Sequence, residues 1–148
     1  MKLKALPLAL LALFSATTLV GCVEEETTET QTISLTEEGR YLSGTFDASA
    51  AEIVTFDETT TQTLVVNADS GKIDVLGSSD ITNPILNVSI DLRQDLFDNG
   101  VVAATTDVGA SNSVTTFNGL MAVAVEANPK TDAGWVLFYK TSDMSFIK

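Results

Sequence analysis

From Tyr41 onward the sequence is a series of short β-rich runs separated by turn residues, and this pattern restricts the fold more than any other feature. The clearest run covers residues 85–92, where Leu86, Val88, Ile90 and Leu92 alternate with Asn87, Ser89 and Asp91. Successive strand side chains point to opposite faces, so this alternation predicts a strand with one buried face, opened by Asn83-Pro84. Residues 53–56 and 63–67 read as two earlier strands, and 72–76 as a third in which Ile73 and Val75 oppose Asp74. Ser70-Gly71 supplies the tight turn between the second and third, because glycine accepts the positive φ that hairpins often need.

The second half repeats this plan. Residues 113–117 lead through Asn118-Gly119, a strong hairpin signal, into 121–125; Ala133-Gly134 opens 135–139, and a fourth run begins near Met144. Setting Val54-Thr55 against Val114-Thr115, and Gly71 against Gly134, gives a repeat of about sixty residues. Period and strand count predict an all-β chain: two four-stranded antiparallel blades of an incomplete β-propeller, over 40–92 and 111–148, with an irregular insert at 93–110. Two blades do not close a ring, so the sides that would meet further blades are expected to be wet, with open strand edges.

The first residues speak to compartment. Lys2 and Lys4 precede an apolar run from Ala5 to Leu19, about fifteen residues, long enough for a signal peptide and short of a bilayer span. The run ends in Leu19-Val20-Gly21-Cys22, which resembles the lipobox of bacterial lipoproteins. That resemblance implies removal of residues 1–21 and acylation of Cys22 as the mature N-terminus; the alternative is a chance cysteine after an ordinary signal or a membrane helix. Cys22 is the only cysteine, so no intrachain disulfide is possible. Several acyl chains would hold the protein stably to a membrane, where one binds only marginally. Val23, in place of aspartate, resembles the signal for the outer membrane.

Residues 22–39 then form a tether. From Val23 to Gly39 the chain is rich in Glu and Thr and has almost nothing apolar, a composition that does not offset chain entropy by burial. As a flexible coil it would hold residues 40–148 roughly 20–25 Å from the anchor. The formal charge of −12 falls by two more once Lys2 and Lys4 are removed. Nucleic acid and anionic lipid surfaces are therefore poor partners, and the acidity fits either solubility or cation binding.

Several ordered motifs resemble the opening of the choice-of-anchor type I domain. They are Gly39-Arg40-Tyr41, Ala51-Glu52-Ile53-Val54, Val65-Val66-Asn67-Ala68, Lys72-Ile73-Asp74-Val75-Leu76 and Asn83-Pro84. Asn112-Ser113-Val114, 122–127 and 130–134 continue the likeness. The family comprises large exported β-propeller proteins held at bacterial surfaces by varied anchors, often labelled alkaline phosphatase-like or compared with a mesenchyme-specific cell-surface glycoprotein. Two departures stand out: Gly77-Ser78-Ser79-Asp80 replaces the usual Asp-Ile-Ser-Asp style turn, and 93–110 does not align. Members run to several hundred residues, so the resemblance implies a truncated propeller here.

Chemistry is mostly excluded. Without histidine there is no Ser-His-Asp triad and no His-containing zinc site, and an acylated Cys22 is no nucleophile. Gly109-Ala110-Ser111-Asn112-Ser113 lacks the closing glycine of a nucleophile elbow, and Gly71-Lys72 lacks the rest of a P-loop. Carboxylates remain. Asp95-Leu96-Phe97-Asp98-Asn99-Gly100 resembles the start of a calcium loop, with Asp95 and Asp98 as ligands, but Phe97 fills a ligand position and Thr106 stands where a glutamate belongs. Glu52 and Glu126 border apolar runs and face either a central channel or plain solvent at a strand end. Trp135, Phe138 and Tyr139 form either a ligand platform or core.

Three functions follow. The first is an anchored propeller module, exposed at the cell surface or outer membrane, that binds or scaffolds without chemistry and meets its missing blades or further copies of itself. The second, implied only by the family label, is an exported metal-dependent phosphoesterase using a divalent cation such as calcium. The third is a truncated remnant without independent activity.

Overall fold

The computed structural model describes residues 32–148, so the signal, Cys22 and the tether through residue 31 lie outside the described residues. Residues 32–39 are exposed and carry no regular secondary structure. The chain engages the folded part at Gly39, where a Cβ would collide with the carbonyl oxygen of Ile81.

Seven strands and one helix follow: β1 Val54–Asp57, β2 Gln62–Asn67, β3 Lys72–Gly77, β4 Ile85–Asp91, α1 Leu92–Asp98, β5 Val108–Phe117, β6 Leu120–Ala127 and β7 Trp135–Lys140. They form two open antiparallel sheets, β1-β2-β3-β4 and β5-β6-β7. The two expected hairpin turns bear out their local chemistry: Gly71 takes a φ of 70°. Asn118 and Gly119 both take positive φ, 48° and 80°, the geometry of a two-residue hairpin that matches strand twist. Residues 145–148 run beside β7: the Phe138 amide donates to the Lys148 carbonyl at 2.8 Å, Ile147 donates back to Phe138 at 2.7 Å, and Tyr139 bridges Phe146.

Strand register assigns every side chain to a face. In the first sheet, Val54, Phe56, Thr63, Val65, Asp74 and Leu76 share one side, here the front, and Leu64, Val66, Ile73, Val75 and Ile90 share the back. In the second sheet, Val114, Met121, Val123, Leu137 and Tyr139 share one side, and Ala122, Ala124, Val136 and Phe138 the other. The core lies between the back of the first sheet and the Val114 side of the second; Leu64, Val66, Ile73, Val75, Met121, Val123 and Tyr139 are all fully buried there.

The second sheet has three strands where four were expected, residues 145–148 adding backbone hydrogen bonds and one isolated bridge rather than a strand. The first three strands of each sheet follow one plan. Val54 pairs with Val65 and Val114 with Val123; Thr63 pairs with Leu76 and Met121 with Tyr139. Thr61 and Gly119 both have positive φ, and their carbonyls accept from the amides of Ser78 and Thr141 at 3.1 and 2.9 Å. Asp80 accepts from the amide and hydroxyl of Thr82, as Asp143 does from those of Ser145. Under this correspondence Val54 matches Val114 and Val65 matches Val123, so the front of the first sheet corresponds to the core-facing side of the second. The sheets therefore pack front to back, not face to face.

Three further sequence expectations need correction. The stretch 93–110 is not an irregular insert: it holds α1 and a single 3-10 turn at Thr105–Asp107, and β5 already starts at Val108. Asp91 caps the helix by accepting from the Gln94 amide at 3.2 Å, Leu92 and Leu96 are buried one turn apart, and the amides of Gly100 and Val101 close its end onto Phe97 and Leu96. Leu92 accordingly lies on the helix and not on a strand face. Leu86 and Val88 are each 42% exposed and do not share a side, because a β-bulge sets Val88 opposite Val75 but Leu86 opposite Leu76. The aromatic trio splits likewise: Tyr139 is core and Trp135 packs against it, while Phe138 faces the opposite side.

Candidate functional site

Alternation leaves the first sheet with two apolar faces, of which only the back is used in the core. Val54, Phe56, Thr63, Val65 and Leu76 form the floor of an open groove of about 840 Å³ on the front. Residues 41–46 and 50–53 make one wall, and Ile81 and Pro84 contribute to the lining. The segment 49–53 is tied to β2: the Val66 amide donates to Ile53 at 2.8 Å, Glu52 donates to Val66 at 3.1 Å, and Asp69 donates to Ser49 at 3.1 Å. Phe56 remains about half exposed and Val54 is 65% exposed, and with the exposed Leu42, Phe46 and Ile81 they make an apolar area of the kind that marks a contact surface.

Asp74 is the acidic group of the floor. It is buried, accepts from Asn67 Nδ2 at 3.0 Å and also from the Ser89 hydroxyl. A buried carboxylate with two donors is a satisfied structural group that lends the groove negative potential. Glu52 lines the same groove, and no Lys or Arg does.

The other sequence candidates are dispersed. Glu126 accepts from the Ala110 amide and from Lys130 Nζ, both at 3.2 Å, and the amide first, then the lysine, hold its carboxyl below the ordinary value. Asp98 accepts from Gln94 Nε2 at 2.7 Å on the exposed side of α1. Asp95 accepts from the Tyr139 hydroxyl at 2.9 Å; burial pushes its carboxyl up, helped by the charges of Asp91 and Asp98, although the tyrosine hydrogen bond opposes this. The run that resembles a calcium loop is helical through Asp98, so these carboxylates engage Tyr139 and Gln94. Among the described residues no group of three or more His, Cys, Asp or Glu side chains is placed to hold a metal ion, and no helix is long and apolar enough to cross a membrane. Cys22 lies outside the described residues.

Sequence reasoning missed the groove. The signal for it was present: Leu64-Val65-Val66 is continuously apolar, as in a strand buried on both sides, and Phe56 and Leu76 add to the face opposite the core. The likeness of Ser78-Ser79-Asp80 to Thr141-Ser142-Asp143 was also visible and would have placed both turns in equivalent positions.

Comparison with known proteins gives no match: no family model, no curated protein and no solved structure matches the chain.

Proposed function

We propose that this chain is an exported lipoprotein, anchored through Cys22 to the outer membrane, whose two sheets are adjacent blades of a β-propeller of the choice-of-anchor type I kind, serving as a binding or scaffolding module. The observation that carries the reading is the front-to-back packing of two corresponding sheets. Propeller blades stack in this way around a central axis, each offering one side to its neighbour and the opposite side to the next. At the seam Thr55 and Thr116 place their hydroxyls 3.4 Å apart, and the Thr116 hydroxyl donates to the Phe56 carbonyl at 3.0 Å. The groove on the first sheet, apolar with two carboxylates, suits recognition of a surface better than bond-breaking chemistry.

The test joins anchoring to activity. Cells expressing the full chain are labelled with palmitate and fractionated, beside a Cys22→Ala variant; label and outer-membrane recovery in the parent, and loss of both in the variant, are the expected results. An unlabelled parent would sink the anchor. Purified protein is then assayed on a phosphate monoester with and without calcium. Calcium-dependent hydrolysis abolished by changing Asp95 or Asp98 would replace the scaffold reading with a phosphoesterase.

A further inference from the structure

The front groove of the first sheet and the outer side of the second are the two halves of an interface that the molecule already makes once inside itself. Val65 on the groove floor corresponds to Val123, which is fully buried against the first sheet; Ile81 at the rim corresponds to Met144, which packs on the core. On the other side, Ala122 and Ala124 correspond to the buried Leu64 and Val66, and Val136 corresponds to buried Ile73 yet is 56% exposed. Residues 41–46 and 50–53 wall the groove and Leu76 and Asp74 are buried within it, but Val54 and Phe56 on its floor stay exposed. The groove is lined by Glu52 and Asp74 without a cation; the outer side of the second sheet carries Lys140, with Lys148 Nζ 6.0 Å from the centre of the Phe138 ring, beside Glu126, which Lys130 pairs at 3.2 Å, and Asp143, which lies near Lys140.

We infer that the occupant of the groove is a second copy of this chain, which inserts the outer side of its second sheet and repeats between molecules the front-to-back step that joins the two sheets within one. Such a contact is heterologous, so it propagates head to tail and ends only if the rotation closes a ring. The inference rests on the blade reading above, but the geometry separates the two experimentally. Within one chain Thr55 meets Thr116. Thr115 corresponds to Thr55 and Phe56 corresponds to Thr116, so between chains Thr115 of one copy should meet Phe56 of the next; both are exposed in the single chain.

The experiment uses the full-length chain in detergent with Cys22→Ser, leaving introduced cysteines as the only thiols. Disulfides demand close Cβ atoms, which makes oxidation a reporter of specific contact. Phe56→Cys with Thr115→Cys should give an interchain ladder on non-reducing gels, absent from either single variant, and lost when Lys140→Glu and Lys148→Glu are added. A dimer from Phe56→Cys alone would mean two-fold pairing of grooves and overturns the inference. So does the lack of any interchain product from the double variant, whether the groove is open or filled by the chain's own N-terminal residues. Thr55→Cys with Thr116→Cys should close an intrachain disulfide: if it forms while the ladder does not, self-association falls and the blade reading stands, and if it fails to form the blade reading falls with it.

Discussion

The hydroxyl of Tyr139 donates to the carboxylate of Asp95 across 2.9 Å, joining β7 of the second sheet to the helix that follows the first. Tyr139 is fully buried and its hydroxyl is pushed well above the ordinary value, first by burial and then by this carboxylate. The bond adds a polar fastening to the core, beside those that Thr116 makes with Thr55 and Phe56 at the seam.

That pair predicts a pH dependence. The folded state raises the Asp95 carboxyl above its ordinary 3.8, so it favours the protonated form. The associated stabilisation is complete below 3.8 and is lost as pH rises through the raised value. Asp95→Asn keeps an acceptor for Tyr139 but cannot ionise. Its stability relative to the parent should therefore improve as pH rises from acid to neutral, measured as the difference in urea midpoint. A difference that stays flat or shrinks over that range contradicts the assignment.

Asp57 carries the opposite sign. Burial opposes its charge, yet the Thr60 hydroxyl, which donates to Asp57 Oδ2 at 2.7 Å, and the polar groups of Thr59 and Thr141 close by hold its carboxyl below 3.8. The stabilisation is present above 3.8 and lost as pH falls through the lowered value. Asp57→Asn should cost about 1–3 kcal/mol at neutral pH, the worth of hydrogen bonds to a buried charge, and much less in acid. Equal loss at both pH values would assign Asp57 to packing alone.

Gly71 makes room for Arg93. With φ at +70°, a Cβ there would stand 2.5 Å from the guanidinium carbon, which sits where Arg93 donates to the Ser70 carbonyl at 3.0 Å and to Gly109 at 3.4 Å. Gly71→Ala should cost about 1–2 kcal/mol for the left-handed backbone, and more for the displaced arginine. Gly119→Ala, at φ +80° with open space around it, should show the backbone cost alone. Urea midpoints for both variants, with and without Arg93→Ala, separate the contributions: only the Gly71 penalty should shrink in the arginine-free background.

How much of this was legible depended on where a local rule decided the outcome. Asn118-Gly119 and Ser70-Gly71 announce their hairpins because positive φ is a property of the residues themselves. The placement of Ile73 and Val75 opposite Asp74 follows from alternation. The helix at Leu92–Asp98 was hidden because it starts directly at the end of a strand, so Leu92 extends the alternation of β4 by coincidence. The bulge between Val75 and Leu76 was equally hidden, since one extra residue reverses a face without altering the pattern on either side. At the groove, Leu64-Val65-Val66 signals burial on both sides, but which side meets the second sheet is a tertiary fact. Asp74 reaches the groove lining through strand register and Glu52 through the backbone bonds of its segment to Val66, neither of which a spacing rule in the sequence contains.

Val65 and Val123 occupy corresponding positions in unlike surroundings, and that contrast gives a final prediction. Val123 is fully buried between the sheets, whereas Val65 lies half-buried on the groove floor. Truncation of a buried valine loses its transfer free energy and leaves a cavity, so Val123→Ala should cost about 2–3 kcal/mol. Val65→Ala in a dilute monomer should cost less than about 1 kcal/mol, since water already reaches the side chain. The balance shifts if a second copy fills the groove, because a partner that binds only the folded state adds stability that grows with protein concentration. The penalty of Val65→Ala should then rise with concentration while that of Val123→Ala stays constant, as read from thermal midpoints across a dilution series. A Val65→Ala penalty independent of concentration would leave the groove open to solvent and the corresponding valines different for reasons internal to one chain.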